Sequence, residues 1–100
     1  MKSDLYHHLN KLREILPDLA ARFRVHALGV FGSYVRHEED PDSDLDVLVT
    51  FDEAPSLLTF LALENYLSDL LGVRVDLVME DALKPQIGRR ILREVVPVAA

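Results

Sequence analysis

A chain of 100 residues has room for one hydrophobic core but not for a second domain of ordinary size, and at 49% apolar residues it can fill that core. A net charge of −6, with 11 basic residues interspersed among 17 acids, argues against a polynucleotide partner, which requires a concentrated basic surface. Without cysteine the chain has no disulfide, thiolate nucleophile or thiolate metal site, and no stretch reads as a signal peptide or membrane span, so one cytoplasmic domain over residues 1–100 is expected.

From Ser3 to Ile15, Leu5, Leu9, Leu12 and Ile15 recur near helical spacing, and Pro17 suits the first turn of a second, short helix reaching about Phe23. Val25 to Phe31 is an apolar run ending on Gly32-Ser33, the pattern of a buried strand that feeds a turn. Ser33 stands where a helix N-cap belongs. Ser33 to Arg36 is therefore expected to open a helical turn whose unpaired N–H groups attract an anion, with Gly32 letting phosphate oxygens approach the backbone. Arg36 suits a phosphate contact or neutralisation of Glu38, Glu39 and Asp40. His37 to Ser43 is polar and contains Pro41, so a loop is predicted, with Asp42 and Ser43 bonding local backbone.

Asp44 to Phe51 reads as the next strand, with Leu45, Val47 and Val49 turned to the core and Asp44 and Asp46 together on the opposite face. Adjacent carboxylates resist joint ionisation unless a cation stands between them. Magnesium fits, since it takes a few carboxylates and completes its shell with water and phosphate oxygens, which points to a nucleotide-dependent site. Ser56 should cap a helix running through Leu57, Phe60, Leu61, Leu63, Glu64 and Leu67 to Leu71, with Gly72 as its stop. A strand over Val73 to Val78 follows, in which Asp76 interrupts a β-branched run and supplies a third carboxylate on the side of the attacking hydroxyl in a two-ion site. The helical crossover between these strands favours parallel neighbours.

The last helix is expected from Pro85, with Ile87, Ile91, Leu92 and Val95 inward and Pro97 as its end. Lys84, Arg89, Arg90 and Arg93 gather here, enough for a local triphosphate or an acidic partner. His7, His8 and His26 lack metal-ligand spacing, and Tyr6, Tyr34 and Tyr66 read as packing or surface residues. The apolar content of two helices exceeds what one small sheet covers, which predicts a partner-binding face.

Gly32-Ser33-Tyr34-Val35-Arg36, then Asp44-Leu45-Asp46 with ten residues between Ser33 and Asp44, then Val75-Asp76-Leu77-Val78 together resemble the DNA polymerase beta-type nucleotidyltransferase superfamily in its minimal, stand-alone (MNT) form. The likeness runs over nearly the whole chain. It implies an α+β fold, a small mixed β-sheet flanked by helices. It further implies ATP as substrate, bound through Gly32, Ser33, Arg36, Asp44 and Asp46, with two magnesium ions on Asp44, Asp46 and Asp76. The implied reaction moves AMP to a hydroxyl and releases pyrophosphate. Minimal members are often antitoxins of HEPN/MNT pairs, so the implied partner is a HEPN-domain ribonuclease toxin, the implied acceptor is a tyrosine near that toxin's active site, and an assembly with the partner is expected to complete the site. Many members carry glycine after the arginine where this chain has His37, a residue type tolerated in left-handed backbone. Two other readings stay open at this point: a non-catalytic module that masks the toxin, and transfer to a small molecule in a pocket formed by self-association.

Overall fold

The computed structural model describes residues 4–98. Helix α1 (Asp4–Phe23) is one continuous helix with Pro17 inside it, not two helices meeting at the proline. An interior proline removes one helical hydrogen bond and costs roughly 3 kcal/mol. Burial of Leu9, Leu12 and Leu19 along a single face offsets that cost, at about 1.5–3 kcal/mol for each fully buried side chain. Ser3, the expected helix start, lies outside the described residues.

Arg24, at φ 61, turns the chain into β1 (Val25–Phe31). Strand β2 (Leu45–Phe51) pairs antiparallel with β1 and parallel with β3 (Val75–Met79). Asp44 stands one residue before β2 instead of opening it. The connection between β2 and β3 is α2 (Leu57–Leu71), and it begins and ends where its caps require. Ser56 accepts the Thr59 N–H at 3.2 Å, and Gly72, at φ 70, closes the helix by donating to the Ser68 carbonyl.

The sheet is mixed, with order β3-β2-β1-β4, as the resemblance implied. On one face Leu28, Val30, Leu45, Val47, Val49, Val75 and Leu77 form the core with Leu12 and Leu19 of α1 and Leu63, Leu67 and Leu71 of α2. Alternation puts Asp46 and Asp76 on the other face. Two side chains of α2 reach over to β3: the Ser68 hydroxyl accepts the Val75 N–H at 3.0 Å, and the Glu64 carboxylate accepts the Leu77 N–H at 2.9 Å. The backbone on both sides of Asp76 is thereby held from the helix.

Helix α3 (Pro85–Glu94) forms where expected, but none of its residues is buried, and Ile87 and Leu92 are half exposed. The inward face read from its apolar spacing is thus only partly covered. Pro97 does not merely end this helix. It belongs to β4 (Val96–Pro97), whose residues pair with Val30 and Gly29 of β1. Gly29 suits that position because a Cβ there would meet the Val95 side chain. On α2, Leu57 and Leu58 stay 72% and 80% exposed, so apolar surface is indeed left over. Among the described residues, no helix is long and apolar enough to cross a membrane.

Candidate active site

The turn after β1 is shaped by its glycine. Gly32 has φ 83, a region side chains rarely adopt, and a Cβ there would collide with the Asp46 carboxylate. The Val35 and Arg36 N–H groups donate to the Gly32 carbonyl at 3.0 and 3.2 Å, one turn of helical character. The chain then leaves the helical path. His37 adopts φ 58, and the Glu38 N–H returns to the Ser33 carbonyl at 2.9 Å. The expected helical turn ends there, because a left-handed residue cannot continue it, and His37 takes up the conformation that glycine would otherwise provide. Tyr34 pins this turn to the core, buried with its ring edge-on to His8 of α1 at 5.6 Å. Burial, with His7 adding to it, pushes the His8 pKa down, so that imidazole is a neutral packing group. The Ser33 hydroxyl stays without a hydrogen-bond partner among the described residues.

Beside the turn, Asp46 of β2 lies opposite Phe31 on one side and opposite Asp76 of β3 on the other. The parallel register alone makes the two acids neighbours. The Asp46 carboxyl is pushed up to about 6, first by burial and then by the charges of Asp76 and Asp44, with Arg36 pulling the other way. Asp44 is not gathered as closely, for its carboxylate faces Arg74 with Oδ1 3.9 Å from Nε. Among the described residues, no three acidic or histidine side chains stand ready-made around a cation position. What exists is a repelling pair with Asp44 at its rim. That donor set fits magnesium, which needs only a few carboxylates when phosphate oxygens and water supply the rest.

Arg36 performs the neutralising task foreseen for it, with Nε 2.9 Å from Glu38 Oε1, and also reaches across the molecule, with Nη1 2.8 Å from Glu94 Oε1. The other Glu94 oxygen accepts the Gly32 N–H at 2.7 Å. In the loop, Ser43 bonds local backbone as read, its hydroxyl accepting the Asp40 N–H at 2.9 Å, but Asp40 is the acid that caps the turn by accepting the Asp42 N–H at 2.8 Å. A polar cleft of about 500 Å³, lined by Pro41, Asp42, Ser43, Asp44, Gly72, Val73 and Arg74, opens on the Asp44 side. Neither Asp46, which is half-buried, nor Asp76, which is exposed, lines it.

Sequence reasoning missed Glu94, Glu64 and Arg74. Glu94 had one signal, an acid at a helix C-terminus where the dipole disfavours it. Glu64 had another, the one charged side chain within the mostly apolar stretch 57–67 of α2.

Residues 9–98 match the family described as Nucleotidyltransferase domain. The chain is similar to the protein adenylyltransferase MntA of Thermococcus cleftensis, 54% identical over 98 residues, covering 98% of this chain and 92% of that one. It is similar to a solved minimal nucleotidyltransferase structure with a TM-score of 0.76 and 44% identity, covering 91% of this chain and 93% of that one. A structure of a tri-AMPylated Shewanella oneidensis HEPN toxin in complex with an MNT antitoxin shares the fold at a TM-score of 0.70 and 19% identity, covering 95% of this chain and 71% of that one.

Proposed function

The chain belongs to the nucleotidyltransferase domain family and is a nucleotidyltransferase, and from that premise we propose that it transfers AMP from ATP to a hydroxyl of a HEPN-domain toxin and so acts as that toxin's antitoxin. The observation that carries this reading is the placement of Asp46 beside Asp76 on the open sheet face, next to the Gly32 turn. Triphosphate donors and paired acids on one surface are what nucleotidyl transfer needs. The protein adenylyltransferase relative of similar length, and the fold shared with an antitoxin bound to its AMPylated toxin, support the substrate class.

In this reading the acceptor oxygen attacks the α-phosphorus, a P–O bond forms to it, and the bond to the bridging oxygen breaks to release pyrophosphate. Gly32 and Ser33 present backbone and hydroxyl donors to the triphosphate, and Arg36 adds charge to it. Asp46 stands between the triphosphate and the acceptor. Asp76, the more exposed partner, takes the acceptor side and helps receive the hydroxyl proton. Magnesium ions on Asp44, Asp46 and Asp76 would supply charge that offsets the repelling carboxylates and the leaving group. A tyrosine is the acceptor we propose, since a phenol ionises more readily than a serine hydroxyl.

Intact-mass measurement of the purified chain with a HEPN-domain partner, ATP and magnesium tests this. The partner should gain mass in whole AMP units, and D44N/D46N should abolish the gain. An inhibited partner in a stable complex with no mass change would replace catalysis with masking.

A further inference from the structure

The Glu94 carboxylate spans two donors that the proposed nucleotide site assigns to a triphosphate. Its Oε2 lies 2.7 Å from the Gly32 nitrogen and its Oε1 lies 2.8 Å from Arg36 Nη1. An N–H group has one proton to give, so a phosphate oxygen cannot take the Gly32 N–H at full strength while Oε2 holds it. The two oxygens of one carboxylate thus stand where two oxygens of one phosphoryl group would stand. Charge makes the same point, because Arg36 already faces Glu38 and Glu94, leaving the cluster net negative.

Resting on the site reading above, we propose that Glu94 is an internal anion that occupies the phosphate donors of the Gly32 turn in the nucleotide-free protein and is displaced when a triphosphate binds. Partial burial works to raise the Glu94 pKa, but the hydrogen bonds from Arg36 and the Gly32 N–H outweigh it and hold the carboxyl below its usual range. The side chain is therefore charged at neutral pH and competes as an anion. A magnesium-bound triphosphate wins because it engages Ser33 and the aspartates as well.

Displacement has a structural consequence. Glu94 closes α3, a helix without a buried residue, and an acid at a helix C-terminus opposes the dipole. Once its partners are taken, the last turn of α3 loses the contact that compensates this. Nucleotide occupancy is in this way transmitted from the Gly32 turn to the basic helix carrying Arg89, Arg90 and Arg93.

The test uses the full chain with magnesium and α,β-methylene-ATP, which cannot release pyrophosphate. E94Q should bind the analogue about tenfold more tightly than wild type, the scale of one charged hydrogen bond no longer displaced. E94D keeps the charge but shortens the reach, and should gain nearly as much. Unchanged or weaker binding by E94Q overturns the proposal, and so does a gain in E94Q with none in E94D, which would mark a diffuse charge effect. Should the variants fail to fold, amide exchange of wild type decides: saturating analogue should speed exchange at Ile91–Val95, and slower or equal exchange there overturns the proposal. Failure of wild type to bind the analogue at all would overturn the site reading and this proposal together, whereas binding without a Glu94 effect would overturn this proposal alone.

Discussion

Asp46 keeps its proton to about pH 6 in the fold, against an ordinary value of 3.8, because burial and the neighbouring Asp76 and Asp44 penalise its charge. An acid whose pKa is raised by folding stabilises the fold while protonated. That contribution is complete below about pH 4 and is lost as the pH rises through 6. In the absence of magnesium, Asp46→Asn should therefore stabilise the protein at pH 7.5 by on the order of 1–2 kcal/mol, several degrees in Tm, once screening of this half-buried group is allowed for. The gain should vanish near pH 4 in thermal melts taken across the range. Magnesium should raise the Tm of wild type and do little for the variant, and equal responses would count against Asp46 as a ligand. Gly32→Ala combines strained backbone with a collision at Asp46, so it should cost about 1–3 kcal/mol in denaturant melts and remove AMP transfer.

At the scale of elements, α2 acts on the site without touching a substrate. Glu64 and Ser68 accept the N–H groups of Leu77 and Val75, which flank Asp76. Glu64→Ala leaves a half-buried N–H unpaired and should destabilise by about 1–2 kcal/mol. AMP transfer should fall severalfold with nucleotide affinity unchanged, and Glu64→Gln, which still offers an oxygen, should restore both transfer and stability. Elements specified by near neighbours in the chain were legible in the sequence: the β1 run, the Ser56 and Gly72 caps, the left-handed tolerance of His37 and the alternation that turns Asp46 away from the core. Elements decided by distant contacts were not. Pro17 reads locally as a helix break, and only the leucine face packed against β1 overrides it. Val96-Pro97 is too short to read as a strand until β1 is there to pair with it. Glu94 meets Gly32 and Arg36 through the closing of the whole sheet, and no spacing along the chain encodes that meeting.

For the whole molecule, ligand binding should appear as stability. Magnesium and α,β-methylene-ATP at about a hundred times Kd should add about 2.7 kcal/mol, which shifts the Tm of a domain this size by roughly 10 °C or more. The D44N/D46N chain should show little of that shift, and an equal shift would move nucleotide recognition away from the aspartates. The acids lie on the sheet face opposite α1 and α2, where Asp76 is exposed to an approaching acceptor. The backbone itself, however, offers such a visitor little. On one rim of the sheet the side chains of Glu64 and Ser68 already occupy the N–H groups of Leu77 and Val75, and on the other rim β4 is two residues long and includes a proline with no N–H to give. Both rims are thereby poorer templates for another strand, which disfavours stacking end to end into fibrils and partners that bind by β-augmentation. A cognate partner is then expected to read mainly side chains, which makes its recognition vulnerable to single substitutions and its specificity free to drift while the fold stays the same.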